Sequence, residues 1–434
     1  MRRLVDFKRC ALAAFLAGLI PHVSAQTAAP TETLQVLHWW TSASERKAAN
    51  VLASRLAEEG VTWQDAAIPG GAGLGAGKVL RSRVLAGQAP EVTQIIGESI
   101  KEWAGIGLLL EFDNVAVAGR WAQVLSPTVF ALVQHRGHVV AAPLGVHRIN
   151  TLFYNRPLLD RLGLKPPANW AEFEAMAPRL KAAGAVPLAQ SAEPWQVATL
   201  FENLVLAEGG PALHRELFVR QNEAALADKR LVLALQRLRT LKAWMALPVQ
   251  ERPWTDLVRQ VQRGQAAMLV MGDWAKGELL ESGPVIDGGF GCAPAPGTAS
   301  FHLYSVDTLT MFAGDYTHTD AQQKLARVAV QPTVQAEYNA VKGSVSVRRD
   351  ADPSKMDACA RDSWTAFMQG AAQQAPSLAH RMATDETRKD VIVAEIHRHF
   401  LDDTATPADA QQRLGAIFRA LRLRSGQKAA ATHP

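Results

Sequence analysis

Beyond residue 25 the chain has no apolar run long enough to cross a bilayer, which excludes a protein threaded through a membrane by helices. Basic blocks are also missing. The formal charge of +5 contains four basic and one acidic residue from positions 1–25, and without them 42 basic face 40 acidic residues, a net of +2. No basic patch is left to demand a nucleic acid. Cysteine is scarce, at positions 10, 292 and 359 only. Cys292 and Cys359 remain once the leader is removed, and an even pair in an exported protein reads as one disulfide, the alternative being two buried thiols. Nothing pairs a nucleophile with a base in a recognisable order, and no internal repeat is present. Tyrosine is rare, at 4, whereas tryptophan reaches 11. Most of those rings belong in cores, but flat aromatic faces also suit the apolar C–H faces of a sugar ring.

What is present begins with a glycine stretch, PGGAGLGAGKVL at 69–80. A phosphate-gripping loop needs G-x-x-x-x-G-K followed by Ser or Thr. Ala72 stands where the first glycine belongs and Val79 where the hydroxyl belongs, so two requirements fail. A dinucleotide pattern over Gly71, Gly73 and Ala76 lacks an acidic residue at a following strand end, because Glu91 precedes its apolar run. The stretch excludes itself as a nucleotide site, and no cofactor is expected. Glu395 and His399 are spaced i, i+4 in EIHRHF but lack further ligands, so no metal is expected either.

The first 25 residues carry Arg2, Arg3, Lys8 and Arg9, a short apolar core and the small-residue end Val23-Ser24-Ala25. This predicts a secretory signal peptide over 1–25, a retained anchor being the alternative. Cys10 lacks the neighbours of a lipid-modified cysteine. The remaining length exceeds one hydrophobic core, so two domains are expected. LQVLHW (34–39), VTWQDAAI (61–68) and PEVTQIIG (90–97) read as strands. Between them lie a helix opened by Ser42 with Glu45 at capping-box spacing and a helix from Lys78, the rhythm of a parallel α/β sheet. Further along, a hairpin is expected around Arg136-Gly137, a helix capped by Asn169 and helical stripes at 196–207, 213–220, 228–246 and 254–263. A strand at 266–274 is expected to end on Trp274, and 291–297 to be a turn. The strand at TLTMFAG precedes a helical C-terminal third, with a disordered basic tail.

In order along the chain come HWWTSASE, GGAGLGAGKVL, AAPLGVHRINTLFYN, VMGDWAKGE, CAPAPG, VKGSVSVR and PSLAH. Together they resemble the periplasmic glucose/mannose-binding proteins of ABC sugar importers, within the maltose-binding-like superfamily of extracellular solute-binding proteins. The resemblance covers nearly the whole mature chain. It implies an α/β, two-lobe periplasmic binding protein fold with a ligand cleft between discontinuous lobes. The first lobe would be about 31–142 plus 300–343, the second about 143–299 plus 344–430. The glycine stretch would then be a tight turn close to the cleft.

The same resemblance implies a site. Trp39 and Trp40 end the first strand, where open α/β sheets place ligands. Trp274 matches a sugar-stacking ring, Asp307 an acceptor of sugar hydroxyls, Lys342 a donor and His380 a histidine of a lid. Gln94 matches a sugar-bonding glutamine, and Glu45 is a further candidate whose competing role is the capping box. Each has a plainer reading: core ring, turn cap, solvated lysine, surface histidine. Ile96 and Ser305 depart from the family pattern, which has a basic residue and an amide there, and so leave the sugar open. The expected function is a non-enzymatic periplasmic receptor that captures a monosaccharide, glucose or a similar aldohexose, and delivers it as a monomer to the permease subunits of an ABC importer. The alternatives are a secreted carbohydrate-active enzyme, which needs two carboxylates flanking its cleft, and a sugar sensor for a signalling partner.

Overall fold

The computed structural model describes residues 32–431 other than 71, 72, 282, 284, 285 and 287, with the backbone alone at 74 and 425–431. The expected signal peptide, Cys10, Gly71 and Ala72 lie outside the described residues.

β1 (Glu32–His38), β2 (Val61–Ala67) and β3 (Val92–Gln94) pair in parallel, with β1 between the other two. Leu34 and Val36 are fully buried, as the apolar run requires. The connecting helix Ala43–Glu58 opens on a complete capping box: the Ser42 side chain accepts from Glu45 N and the Glu45 carboxylate returns to Ser42 N. The next helix, Leu74–Leu85, begins four residues before Lys78, so that lysine sits inside the helix rather than opening it. The expected start ignored how little a helix needs beyond backbone when glycines supply the first turn. Gly73 caps it at φ 73, and a Cβ there would stand 2.7 Å from the Trp39 ring. Gly75, in turn, presses on the Pro69 carbonyl, 2.6 Å from where a Cβ would be. The glycines therefore allow backbone to lie against Trp39.

A two-residue hairpin, β4 (Gln134–His135) and β5 (His138–Val139), turns at Arg136-Gly137, both at positive φ. β6 (Ala142–Arg148) stays with the first sheet, and after Ile149-Asn150 the chain enters a second one as β7 (Thr151–Asn155). With β8 (Val186–Ala189), β9 (Ala266–Met271) and β10 (Phe290–Pro294) it makes a four-stranded sheet of order β10-β7-β9-β8. Leu152 and Tyr154 face one core and Phe153 the other, so helices cover both faces of that sheet.

The chain returns on β11 (His302–Met311), which pairs with β6, β3 and β12 (Gln374–Pro376). β11 runs antiparallel to β3, so the first sheet is mixed where the early rhythm suggested a parallel one. The two sheets with their helices are the two lobes. Three expectations fail locally. Trp274 opens helix Trp274–Glu281 instead of ending a strand, because β9 stops at Met271 and Gly272-Asp273 turn the chain. Gly291–Pro294 is strand, since β7 pairs with it. The C-terminal backbone is helical through Ala431 in helix Pro407–Ala431 rather than a disordered tail. The expected segments 196–207 and 213–220 are the two halves of Pro194–Phe218, kinked where Gly210 takes φ 64 before Pro211. No helix among the described residues is long and apolar enough to cross a membrane.

Candidate functional site

The ends of β1 and β3, the crossing strands β6 and β11, and the starts of several helices converge on one cavity of about 350 Å³. That is within the ~300–1,000 Å³ range of small-molecule sites. Ligands of open α/β sheets sit in this place, beyond strand ends.

Asp307 on β11 is its polar centre. Gln94 Nε2 donates to Oδ1 at 3.2 Å, and His147 Nε2 stands 3.2 Å and Lys342 Nζ 3.9 Å from Oδ2. Burial alone would raise this carboxyl, but His147, Lys342 and Gln94 pull it down to about 2. His147 lies on β6, and its Nδ1 is 2.5 Å from Asp273, which also accepts from Arg148 N. Burial disfavours the imidazolium, yet the carboxylates of Asp273 and Asp307 outweigh burial and the Lys342 charge and hold the ring above its ordinary value. Lys342 ends helix Pro332–Lys342, just before Gly343 at φ 95, and donates to Glu45 Oε1 at 3.3 Å. Glu45 takes the capping-box role with Oε2, and its Oε1 holds Lys342.

The aromatic wall is Trp274, Trp195 and His380. Trp274 meets His147 at 5.4 Å and His380 at 5.1 Å between centroids, and Trp195 meets Trp274 at 6.3 Å. Trp39 also lines the cavity, with the Arg381 guanidinium 5.6 Å from its ring centre.

Six of the eight expected residues therefore line one cavity: Trp39, Glu45, Trp274, Asp307, Lys342 and His380. Trp40 does not. Successive side chains at the strand end point apart, and Trp40 is fully buried, edge-on to Tyr338 in the core packed on the first sheet. Gln94 does not line it either; it supports the cavity by donating to Asp307 and accepting from Trp39 N. Sequence reasoning missed His147, Glu193, Trp195 and Trp254. His147 was in view within LGVHR. Trp195 and Trp254 each follow a proline at a helix start, in EPW and RPW, and that proline placement was the available signal. Ile96 and Ser305 line the cavity, Ser305 opposite His147 in the β6–β11 register.

The two cysteines pair as the leading expectation had it, outside the cavity lining: Cys292 on β10 and Cys359 form a disulfide, Cα–Cα 6.0 Å. Among the described residues, the one cluster with metal-ligand spacing, Glu111, Asp113 and His138, is not part of the cavity lining. The site as built offers carboxylates and a ring nitrogen as acceptors, an ammonium as donor, and aromatic planes, a set suited to a neutral polyhydroxylated molecule. Despite its burial, His147, Lys342 and Gln94 hold Asp307 below the usual carboxylate range, which suits it to accepting hydrogen bonds rather than giving up a proton, and Glu45 shares the same lysine.

Residues 41–336 match the bacterial extracellular solute-binding protein family. A relative from Brucella suis biovar 1, named a probable sugar-binding periplasmic protein, is 33% identical over 409 residues, covering 94% of this chain and 96% of its own. Among solved structures, the solute receptor AcbH, described with an exclusive preference for β-D-galactopyranose, superposes with a TM-score of 0.77 at 16% identity over 91% of this chain and 99% of its own. Maltose-bound MalE3 of T. maritima gives 0.76 at 18% identity over 90% and 99%. Two lobes around a cavity lined for hydrogen bonding, and a family model spanning most of the chain, lead to one statement: the chain belongs to the bacterial extracellular solute-binding proteins, a family of receptors and not of enzymes.

Proposed function

We propose that the protein is a periplasmic receptor that captures a monosaccharide, glucose or a similar aldohexose, between its lobes and delivers it to the permease of an ABC importer. The observation that carries this reading is the convergence of Asp307, Lys342, Glu45 and His380 with Trp39 and Trp274 on one cavity. Acceptors and a donor suit ring hydroxyls, and the indole planes suit the C–H faces. The names of the relatives support a sugar, AcbH a single hexose ring. The lobes are assigned near the expected bounds, about 31–142 plus 300–343 and about 143–299 plus 344–430, except that β6 and β12 pair with β11 and so go with the first lobe. Residues 1–25 are assigned as the export signal, and a hinge at the crossing strands closes the lobes on the ligand. Ile96 gives one wall of the cavity an apolar side chain, 3% exposed, where a charged donor would bind more tightly, so modest affinity is expected.

Intrinsic tryptophan fluorescence of the mature protein, titrated with glucose, mannose, galactose, xylose and maltose and checked by calorimetry, tests this. A saturable change with one or two monosaccharides is expected. Tighter binding of maltose would replace the monosaccharide by a disaccharide. Silence across the panel in both measurements would remove the sugar reading and leave the fold.

A further inference from the structure

His380 reaches the cavity from the loop after β12, and what lies behind it decides what it offers. Glu202, on the kinked helix Pro194–Phe218, has no solvent exposure. Ser377 Oγ donates to Glu202 Oε1 at 2.7 Å, and Leu378 N donates to Oε2 at 2.6 Å. His214 Nε2 stands 3.6 Å from the same Oε2. On its other side Ser377 Oγ accepts from His380 N at 3.3 Å and lies 2.9 Å from His380 Nδ1.

The proton count follows. A hydroxyl has one proton and two acceptor positions, and a carboxylate only accepts. The Ser377 proton is committed to Glu202, so His380 Nδ1 must carry a proton and donate it to Ser377. Burial, reinforced by Arg381 and His147, pushes the His380 ring down to about 3, so it is neutral near neutral pH. A neutral imidazole protonated at Nδ1 has a lone pair at Nε2. Trp195 and Trp274, with centroids 6.0 and 5.1 Å away, pack against the ring and keep it in this orientation.

We propose that Glu202 and Ser377 are positioning residues that fix His380 as a hydrogen-bond acceptor, so that the cavity selects a ligand hydroxyl at this point and rejects a carbonyl or carboxylate. This rests on the sugar reading above and adds to it the direction of one contact. With the Asp307 and Glu45 carboxylates lining the same cavity, the ligand must then supply several hydroxyl donors, as a polyol does and a keto acid does not.

Glu202→Gln tests it. Leu378 N still needs an acceptor, so the new amide oxygen turns toward it and the amide nitrogen toward Ser377. Ser377 then accepts from the amide and points its own proton at His380 Nδ1, and the ring becomes a donor at Nε2. Nitrogen-15 NMR of histidine-labelled protein without ligand, with the His380 signals identified by their loss in His380→Gln, reads the tautomer. Calorimetry with D-glucose and D-galactose reads the consequence. The expected result is Nδ1–H in the wild type, Nε2–H in Glu202→Gln, and affinity lowered at least about tenfold with the fold intact by circular dichroism. Should Glu202→Gln fold poorly, Ser377→Ala removes the Nδ1 acceptor and is expected to mix the two tautomers. A wild-type ring protonated at Nε2, a ring unchanged in both variants, or a switched ring with unchanged affinity would overturn the proposal. If no sugar of the panel binds the wild type, the sugar reading fails by itself, and the ring assignments alone then decide whether Glu202 and Ser377 set the tautomer.

Discussion

Asp307 has two oxygens and three neighbours competing for them, and that crowding makes it the most sensitive single side chain of the cavity. Replacing it by alanine leaves Lys342 and His147 with one counter-charge fewer in a buried place and removes the acceptor for a ligand hydroxyl. Asp307→Ala is expected to weaken monosaccharide binding at least a hundredfold, about 3 kcal/mol by the scale of charged hydrogen bonds, while circular dichroism stays native. Calorimetry showing retained micromolar affinity would take Asp307 out of the site. The two neighbouring tryptophans give an opposite pair of expectations. Trp40→Phe should lower the melting temperature through a cavity cost of roughly 1–3 kcal/mol and leave affinity alone, whereas Trp39→Ala, at the cavity wall, should lower affinity. Nothing in the string HWW tells these rings apart; only the turn at the end of β1 does. Asp307, Lys342 and His380 were legible because each sits in a motif of recognised order. His147 was legible in type but not in role, since its importance comes from Asp273, 126 residues further along.

Contacts between elements hold the two sides of the cavity together. Glu386, at the start of helix Glu386–Leu401 in the second core, meets Arg81 of helix Leu74–Leu85 at 2.5 Å and Arg381 at 3.5 Å. The Arg381 carbonyl accepts from Glu98 N at 2.9 Å, and a Cβ on Gly97 would fall 2.1 Å from it. Arg81 is half exposed, so its ion pair contributes only about 0–1 kcal/mol. Glu386→Ala should therefore raise the dissociation constant by a few-fold and widen the molecule slightly in small-angle scattering without ligand; an unchanged scattering profile and affinity would show that closure does not depend on this pair. The disulfide acts at the same scale, tying β10 to helix Ala358–Met368 across 67 residues of chain. By loop closure its loss costs roughly 4 kcal/mol, so Cys292→Ala with Cys359→Ala should melt lower by calorimetry yet bind normally, since neither residue lines the cavity. The sequence indicated that the two cysteines pair, by number and export, but not that the bond would sit outside the site.

At the scale of the whole molecule, buried histidines set the response to acid. His302 is driven well below its ordinary value by burial and the Arg148 charge, and His380 to about 3. The unfolded chain protonates both near pH 6.5, so it binds more protons than the folded chain below that pH, and stability falls as pH drops. For His380 alone the loss reaches about 3 kcal/mol by pH 4. Asp307, lowered to about 2, contributes stability present above the unfolded carboxyl value and lost only as pH falls from about 4 toward 2. His147, raised, runs the other way: its contribution is present below pH 6.5 and lost as pH climbs through its higher folded value. Calorimetric melting temperatures should fall from pH 7 to pH 4, and His380→Asn should flatten that slope; a slope unchanged by the substitution would mean that His380 titrates normally.

The sequence by itself determined most of the strands and helices, because periodicity, caps and glycines act within a few residues. It determined the fold class too, because seven motifs in order leave little else, and most of the polar side chains of the cavity, because each lies within one of those motifs. Tertiary structure alone decided that β11 runs antiparallel into the first sheet, that Trp40 is core while Trp39 is wall, that Glu45 and Asp307 share Lys342, and that Glu202 stands behind His380. Those are pairings between residues tens to hundreds of positions apart, and no local rule of spacing carries information across such a distance; it comes from the packing of two sheets against their helices and the crossing of β6 with β11.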